Sequence, residues 1–479
     1  MARINTNIQA LTAQTHLART SGEMNATLKR LSSGLRITRG ADDPAGLIAS
    51  ESLRSEIASI SQAIENSQRA SNVIATAEGA LAEVAALLVN IKELTVEAAN
   101  SGALSDEEIK ANQLQVDSAI DSITRIANAT TFSGLHLLNG HLDYVTSGVA
   151  NSAIKALNIY SAQLGSQSYL SVKVSGVLSA QRGHLEFQTS QVNSTVTLEI
   201  ASGRGVEVFN FVSGFHVSNM VSAINAVTDA TGVCATFINA ANHASGVIFR
   251  SVDYGSNAFV SVRLLPSSSG TFTVVDSGGT ATQRDAGRDI QVTVNGSNTV
   301  GTGREVILNT TALDMRVKLA SEFGAGDTST FYITGGGAMF QLGPHINTSE
   351  QTSVGINSVI ASRLGSTDVG FLSEISTGGS YSLVSGQAAS AADIVEEAIG
   401  QISNLRGRLG AFERNTLDTN INSLRITLEN VTASESTIRD ADFAAETSNL
   451  TRTQILVNAG TSVLALANQT PQSVLALLQ

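Results

Sequence analysis

Apolar and small residues recur every three or four positions for about fifty residues after Pro44, and this pattern constrains the fold most. The stripe comprises Leu53, Ile57, Ile60, Ile64, Ile74, Leu81, Val84, Leu88, Ile91 and Ala98. Pro44 suits the first helical position and Asp43 can cap it, so we predict a helix over 44–100. Such a helix would be about 85 Å long, longer than a compact globular domain needs. It should therefore bury its stripe against other helices.

A second helical stripe lies towards the carboxyl end. It comprises Ile394, Ala398, Ile402, Leu405, Leu409 and Phe412, and it resumes after a one-residue phase shift at Leu417, Ile421, Leu424, Leu428, Val431 and Ile438. Between the stripes, Ser105 and Glu108 have the spacing of a capping box, which predicts a helix that ends near Asn128. The sequence TFSGLHLLNG at 131–140 has the Ser-Gly and Asn-Gly punctuation of a β-hairpin.

Glycine is concentrated in the centre of the chain. Residues 144–385 contain 28 of the 41 glycines and all six tyrosines. Because glycine is unfavourable inside helices and useful in turns, this partition predicts helical ends and a β-rich centre. Alternating apolar residues predict strands at 171–177, 195–200, 206–211, 258–264, 271–275 and 290–294, and an amphipathic helix fits 217–227. The similar stretches at 203–208 and 301–306 suggest two related β modules.

These patterns predict an α+β multidomain fold, with a long coiled-coil-like α-helical rod built from both termini and β-rich outer domains from the central region. The terminal helices themselves carry apolar stripes that neither could bury alone. We expect the two ends to pack on each other or on other copies of the chain. The residues proposed for this assembly interface are Ile4, Ile8, Leu11, Leu28, Leu31, Leu450, Ile455, Leu464, Val474, Leu475 and Leu478.

Composition argues against several classes of function. The net charge of −12 disfavours nucleic acid or an anionic membrane as the main partner. Cys234 is the single cysteine, so neither an internal disulfide nor a cysteine-based zinc site is possible. The seven histidines are scattered, and no catalytic motif is present, so we expect no enzyme, no cofactor and no metal. No apolar run approaches the ~18 residues of a membrane span, and membrane insertion is not expected.

Motifs at both ends identify a family. The amino-terminal sequences INTNI at 4–8, LSSGLRI at 31–37 and ADDPAGL at 41–47 resemble the signature of bacterial flagellin. The hairpin segment 131–140 and the sequence ANQTPQSVL at 467–475 are also similar to that family. The resemblance covers roughly 1–143 and 386–479, whereas the centre matches only generically.

This resemblance implies a structural subunit that polymerises into the helical flagellar filament for swimming. It implies an inner terminal-helix domain at 1–43 and 437–479, and a helical rod domain with a β-hairpin at 44–143 and 386–436. The variable outer region is then 144–385, with two subdomains, 144–180 with 289–385 and 181–288. Two alternatives are a hook–filament junction protein and a filament subunit whose outer domains bind surfaces or glycans.

The resemblance also implies partners and a location. The implied partners are other copies of the chain, a flagellar export chaperone, the filament cap and the hook-associated proteins. Export would proceed through the flagellar type III channel to the extracellular filament, without a cleaved signal peptide, since the amino terminus lacks a signal-peptide core.

The connection at Ser33-Gly34 and 40–44 should join the inner helix to the rod helix, with a positive φ at Gly34.

A candidate surface for an animal Toll-like receptor or a neighbouring subunit comprises Leu88, Asn90, Ile91, Glu93 and Leu94. The resemblance implies this surface, but an Arg that is usual in strongly recognised flagellins is replaced by Asn90, and a Glu usual on the neighbouring helix by Gln115. The alternative is that Leu88, Ile91 and Leu94, which are at helical spacing, pack against rod helices or the next subunit. Asn is shorter and uncharged, so it cannot reproduce the planar fork of Arg. We therefore expect weak or absent receptor activation.

Overall fold

A computed structural model describes the backbone of residues 6–100, 102–165, 167–266, 268, 270–310 and 312–476, with side chains as far as residue 469. The chain forms two compact units. The first contains the chain up to Ser71, Gln341–Glu350 and the chain from Glu413 onward, and the second contains Asn72–Phe340 and Gln351–Phe412. The limits of these units differ from the boundaries expected at 43 and 436, and the three-part division of the chain stays a prediction.

Long helices come from the ends of the chain, as the glycine partition predicts. Within the described residues the α-helices are α1 (Ile8–Ser33), α2 (Pro44–Ala98), α3 (Asp106–Ala129), α4 (Val217–Asn225), α5 (Thr228–Thr231), α6 (Ala388–Phe412), α7 (Thr419–Arg439) and α8 (Phe443–Ala476). Short 3-10 helices lie at Leu372–Ile375 and Leu383–Ser385. The α+β class is confirmed, because strands occupy the centre.

Capping residues set the beginnings of α2 and α3. The Asp43 Oδ1 atom accepts the N–H of Gly46 at 2.9 Å, directly before α2. At α3, Ser105 Oγ accepts the N–H of Glu108 at 3.3 Å, and Glu108 Oε2 accepts the N–H of Ser105 at 2.7 Å. Both predicted caps are confirmed, and each satisfies backbone donors that have no partner within the helix.

A π-helix follows α6. It spans Glu413–Asp418 and leads directly into α7. A π-helical turn contains one residue more than the surrounding α-helical register. It therefore accounts for the one-residue phase shift between the apolar residues that end at Phe412 and those that resume at Leu417. Leu417 itself is fully buried.

The strands lie between α3 and α6. They are β1 (Thr131–Phe132), β2 (Leu135–His136), β3 (Tyr144–Ser147), β4 (Ile154–Ala162), β5 (Leu170–Leu178), β6 (His184–Phe187), β7 (Val196–Ala201), β8 (Val206–Phe211), β9 (Val233–Asn239), β10 (Asn242–Ser251), β11 (Phe259–Leu264), β12 (Val275–Asp276), β13 (Arg284–Ala286), β14 (Gln291–Val294), β15 (Ser297–Val300), β16 (Glu305–Asn309), β17 (Leu313–Leu319), β18 (Thr328–Gly336), β19 (Ala338–Gln341), β20 (Gln351–Val354), β21 (Gly365–Ser366) and β22 (Gly370–Phe371). The predicted hairpin is confirmed by the antiparallel pairing of β1 with β2. Ser133 and Gly134 form its turn with φ values of 51° and 84°, the two positive values of a type I′ turn.

Two hydrophobic cores organise the centre, and we call them the first and second β modules. In the first, the sheet β15-β14-β5-β18-β3 and the sheet β16-β17-β4 bury Val172, Val292, Met315 and Phe331. In the second, the sheets β12-β6-β10-β9 and β13-β11-β7-β8, together with α4, bury residues between Leu185 and Val274. The subdomain limits expected near 180 and 289 fall between these two cores.

Two expectations differ from the structure. The segment 271–275 is not a strand except at its end, because Phe272 stacks on Phe187 with ring centroids 4.0 Å apart and Val274 inserts into the second core. Its alternating apolar residues are explained by packing in the core and not by strand pairing.

The second difference concerns α2, which contains 18 consecutive residues of mean hydropathy 1.6, so composition alone permits a membrane span there. Alanine raises that average, while Ile74, Leu81 and Val84 are buried within the protein.

Candidate assembly surface on the terminal helices

Helices α1 and α8 pack against each other in the first unit. Asn7 Nδ2 donates to the carbonyl oxygen of Ala467 at 2.7 Å, and Arg30 Nη1 lies 3.5 Å from Glu446 Oε1. The residue numbers rise along α1 as they fall along α8, so the two helices are antiparallel. The Asn7 Oδ1 atom also accepts the N–H of Ala10 at 3.0 Å and caps α1.

Small and polar residues occupy the contact between α1 and α8. Thr27, Thr453 and Ala467 are all buried there. At Gly460 a Cβ atom would lie 3.3 Å from Leu17 Cδ1, so glycine permits a close approach of the two helices. Small side chains occupy the fully buried positions of the contact, and several larger apolar side chains of the two helices are half-buried or exposed.

The structure places the proposed interface residues in three groups. Ile8, Leu11, Leu28 and Ile455 are exposed, by 43% to 62% of their surface. Leu31, Leu450 and Leu464 are half-buried. Ile4, Leu478 and the side chains of Val474 and Leu475 lie outside the described residues. A monomer that exposes this many large apolar side chains on one helix pair presents an interaction surface.

The interface set omits four exposed apolar residues of α8, namely Phe443, Leu456, Val463 and Leu466. Phe443 and Leu466 are exposed by 64% and 63%. Leu466 lines an open apolar groove of about 450 Å³ with Ile8, Thr12 and Val463. Its position three residues after Val463 is helical spacing, so a complete count of the last stripe identifies it. Phe443 is the first residue of α8, where no periodic pattern precedes it.

The connection after α1 is held by hydrogen bonds within the first unit. Gly34 has φ 71°, which confirms the predicted left-handed conformation, and its carbonyl oxygen accepts the N–H of Ala441 at 2.9 Å. Asp42 accepts hydrogen bonds from the Thr38 hydroxyl at 2.9 Å and from the backbone N–H of Arg39 at 3.1 Å. The Thr38 hydroxyl contributes most to lowering the pKa of Asp42 to about 2.

The surface proposed around Asn90 needs correction. Leu88, Ile91 and Leu94 are buried within the second unit, so their side chains cannot be part of a surface for a receptor or another copy. Asn90 and Glu93 are exposed, as the helical rotation of about 100° per residue requires. The neighbouring Val89 and Val96 are also exposed, and they line an open apolar groove with Lys92, Glu93 and Glu97.

Titratable side chains do not assemble into a metal centre in the described part of the chain. No group of three or more His, Cys, Asp or Glu residues there has a suitable arrangement. Cys234 is half-buried at the second β module.

Comparisons with known proteins agree with the architecture of the ends. Residues 4–143 match the family model of the bacterial flagellin N-terminal helical region, and 392–478 match that of the C-terminal helical region. The chain is 28% identical to Flagellin A of Helicobacter pylori over 539 residues, covering 99% of both proteins. It is 27% identical to Flagellin A of Vibrio cholerae over 488 residues and to Flagellin of Salmonella rubislaw over 510 residues, each at 99% coverage of both chains.

Solved structures give weaker similarities. The flagellar cap protein of Escherichia coli has a TM-score of 0.30 and 16% identity, with 48% of this chain and 64% of that chain covered. Flagellar hook-associated protein-3 of Legionella pneumophila has a TM-score of 0.31 and 11% identity, with 81% and 98% covered.

Proposed function

This chain belongs to the bacterial flagellin family and is a structural subunit that polymerises into the flagellar filament, and we propose that its copies pack through the apolar faces of α1 and α8. The observation that supports this surface is the exposure of Ile8, Leu11, Ile455 and Leu466 on one antiparallel helix pair. Burial of apolar side chains is the main favourable term in most protein association. A contact between unlike faces that does not close into a ring extends into a helical polymer.

The test is to replace Leu466 with aspartate. Because this side chain is exposed, Leu466→Asp should leave the monomer folded, with an unchanged circular dichroism spectrum. In a polymer the carboxylate would be buried without a partner, at a cost of several kcal/mol per subunit. We expect sedimentation assays to show soluble protein that forms no filaments when ammonium sulfate, which strengthens apolar burial, is added.

The matched control is Val208→Asp, which introduces the same charge at an exposed valine on β8. This variant should polymerise like the unmodified protein. Normal filaments from Leu466→Asp, or equal loss of polymerisation in both variants, would contradict the assignment of the surface.

Export and partners form a second part of the proposal. We infer that the chain leaves the cell without cleavage of a leader, bound beforehand by an export chaperone that covers the exposed face of α8. The similarity of both ends to the flagellin family models supports this inference. Contacts with the filament cap and the hook-associated proteins would use the same helix pair. Mass spectrometry of purified filaments should find the intact amino terminus, and a shortened one would contradict the inference.

We also infer that the chain is not an enzyme, since flagellins are structural proteins. Recognition by an animal Toll-like receptor would be limited to exposed residues such as Asn90 and Glu93. Since Asn90 lacks the reach and charge of arginine, we infer weak activation.

A further inference from the structure

A polar cavity of about 340 Å³ lies in the second unit, on the outer side of the sheet β16-β17-β4. The alternation of the strands explains its lining. Val306, Met315 and Val317 face the first core, so Glu305 and Arg316 face the other side of the sheet. The strand register places Arg316 beside Asn158 and Lys318 beside Glu305. Charged and amide side chains of adjacent strands thus lie side by side along one wall of the cavity.

The opposite walls are fixed by hydrogen bonds and ion pairs. Gln401 on α6 binds Gly365 twice, because its Oε1 atom accepts the Gly365 N–H at 3.1 Å and its Nε2 atom donates to the Gly365 carbonyl at 2.7 Å. Asp368 lies 2.8 Å from both Lys318 Nζ and Arg304 Nη2. These contacts hold the loop at 365–368 against both the helix and the sheet. A cavity with fixed walls loses little entropy when it binds a ligand.

Two cations at the cavity form no short salt bridge in the described part of the chain, although the charge of Arg363 opposes the rise in the pKa of Asp143. Lys155 and Arg363 both line it and are exposed, and neither forms a salt bridge within 4 Å. By contrast, Lys318 and Arg316 are matched by Asp368 and Glu305, the latter pair at 3.8 Å. Four cations (Lys155, Arg316, Lys318 and Arg363) and three carboxylates (Asp143, Glu305 and Glu397) line the cavity, which leaves a local excess of one positive charge on a protein whose net charge is −12.

Hydrogen-bonding capacity in the cavity is also incompletely used. The Ser358 Oγ atom is buried and has no hydrogen-bond partner in the described structure. Asn357 Nδ2 lies 3.5 Å from Asp143 Oδ1 and 3.5 Å from Asn158 Oδ1, at the limit of a hydrogen bond. Asp143 Oδ1 accepts the N–H of Tyr144 at 2.8 Å, and burial raises the pKa of this carboxyl group. Such groups are those that a hydroxylated ligand would satisfy.

We propose that this cavity binds an acidic saccharide. Its volume is within the range of about 300–1,000 Å³ that small-molecule sites occupy. Asn158, Asn357 and Ser358 would bind ring hydroxyls, and Tyr160, one face of which is covered by the Arg408 guanidinium at 3.6 Å from the ring centroid, also lines the cavity. The ligand carboxylate would be bound by Lys155 and Arg363, since charge-assisted hydrogen bonds to carboxylate are the strong ones.

The experiment titrates D-glucuronate into the full-length monomer and follows binding by calorimetry and by ligand-detected NMR. D-glucose tests whether the carboxylate is needed, and acetate tests whether the ring is needed. Glucuronate should bind more tightly than either compound. Lys155→Gln and Arg363→Gln should each weaken glucuronate binding by about tenfold or more, because each removes a charged hydrogen-bond donor.

Lys173→Gln is the matched control, because Lys173 is an exposed lysine on β5 that does not line the cavity. It should bind glucuronate like the unmodified protein, and thermal melting should be unchanged in all three variants. Absence of glucuronate binding would overturn the proposal. So would equal binding of acetate or inorganic phosphate, which would show attraction of anions without recognition of a sugar. Equal weakening in Lys173→Gln would show an effect of overall charge and would also overturn it.

Discussion

The terminal helix pair and the two β modules use apolar residues in opposite ways. In α1 only Thr27 is buried, while Leu11 exposes 61% of its surface. In the β modules Phe249 and Phe331 are fully buried by residues of their own module. A β module therefore completes its core within one chain, whereas the helix pair leaves large apolar side chains exposed. The apolar fraction of a segment does not reveal which of these applies; the side-chain size at the intramolecular contact does.

The largest effect should come from the first β module. Phe331→Ala removes a fully buried ring and should lower the free energy of unfolding of that module by about 3–5 kcal/mol. Chemical denaturation of the monomer, followed by the near-ultraviolet signal of the tyrosines, measures this change. The corresponding change in the helix pair, Leu11→Ala, should barely alter monomer stability but weaken polymerisation. A large loss of monomer stability in Leu11→Ala would break the contrast between the two regions.

A smaller effect is expected at the connection that follows α1. Gly34 has φ 71°, and a β-branched residue there would cost about 1–2 kcal/mol. Gly34→Val should therefore lower the thermal stability of the α1–α8 pair, measured by circular dichroism. Gly22→Ala is the control, because Gly22 lies inside α1 and an added Cβ atom would have nothing within 4 Å, and it should stabilise the helix by about 0.5–1 kcal/mol. Equal destabilisation by both changes would contradict a role for the positive φ.

The same connection should depend on pH. The pKa of Asp42 falls from its ordinary value of 3.8 to about 2, chiefly through the Thr38 hydroxyl. A lowered pKa stabilises the folded connection fully above pH 3.8, and this contribution is lost as the pH falls through 2. Hydrogen exchange at the amides of Thr38 and Arg39 should accelerate between pH 4 and pH 2, relative to the intrinsic rate. Asp42→Asn should abolish that dependence, and its persistence would exclude Asp42 as the cause.

The smallest effect on stability is expected at Asn90, an exposed position on a helix whose other face is buried. Asn90→Arg should change the free energy of unfolding by less than about 0.5 kcal/mol, as is usual for surface substitutions. In receptor reporter cells it should raise a weak signal, because arginine is a frequent interface anchor. Potent activation by the unmodified monomer, or an unchanged weak signal from Asn90→Arg, would contradict the inference drawn for this residue.

Local chemistry made much of the fold predictable. The helix caps at Asp43 and Ser105 and the turn at Ser133-Gly134 are formed by residues that are close in the sequence. The local sequence is therefore sufficient to predict them. The phase shift before Leu417 is also visible in the sequence, although only the structure identifies it as a π-helix.

Other features depend on residues that are distant in the sequence. The segment 271–275 alternates like a strand, yet Phe187 from another part of the module determines its packing. The burial of Leu88, Ile91 and Leu94 follows from helical spacing, but which face of α2 remains exposed depends on its tertiary neighbours. The polar cavity combines residues from β4, β17, α6 and the loop at 357–367, and no single stretch of sequence contains its pattern.

The side chain of Asn7 sets an order of events for folding. Its Oδ1 atom caps α1, and its Nδ2 atom donates a hydrogen bond to the carbonyl oxygen of Ala467, which lies 460 positions away in the sequence. A ribosome must add 460 residues after Asn7 before this partner exists, and closing so large a loop is entropically unfavourable. The β modules can fold from contacts made earlier in synthesis. Asn7 thus acquires this partner only after both β modules have been synthesised, and the pair of helices α1 and α8 is the last of these regions that can form.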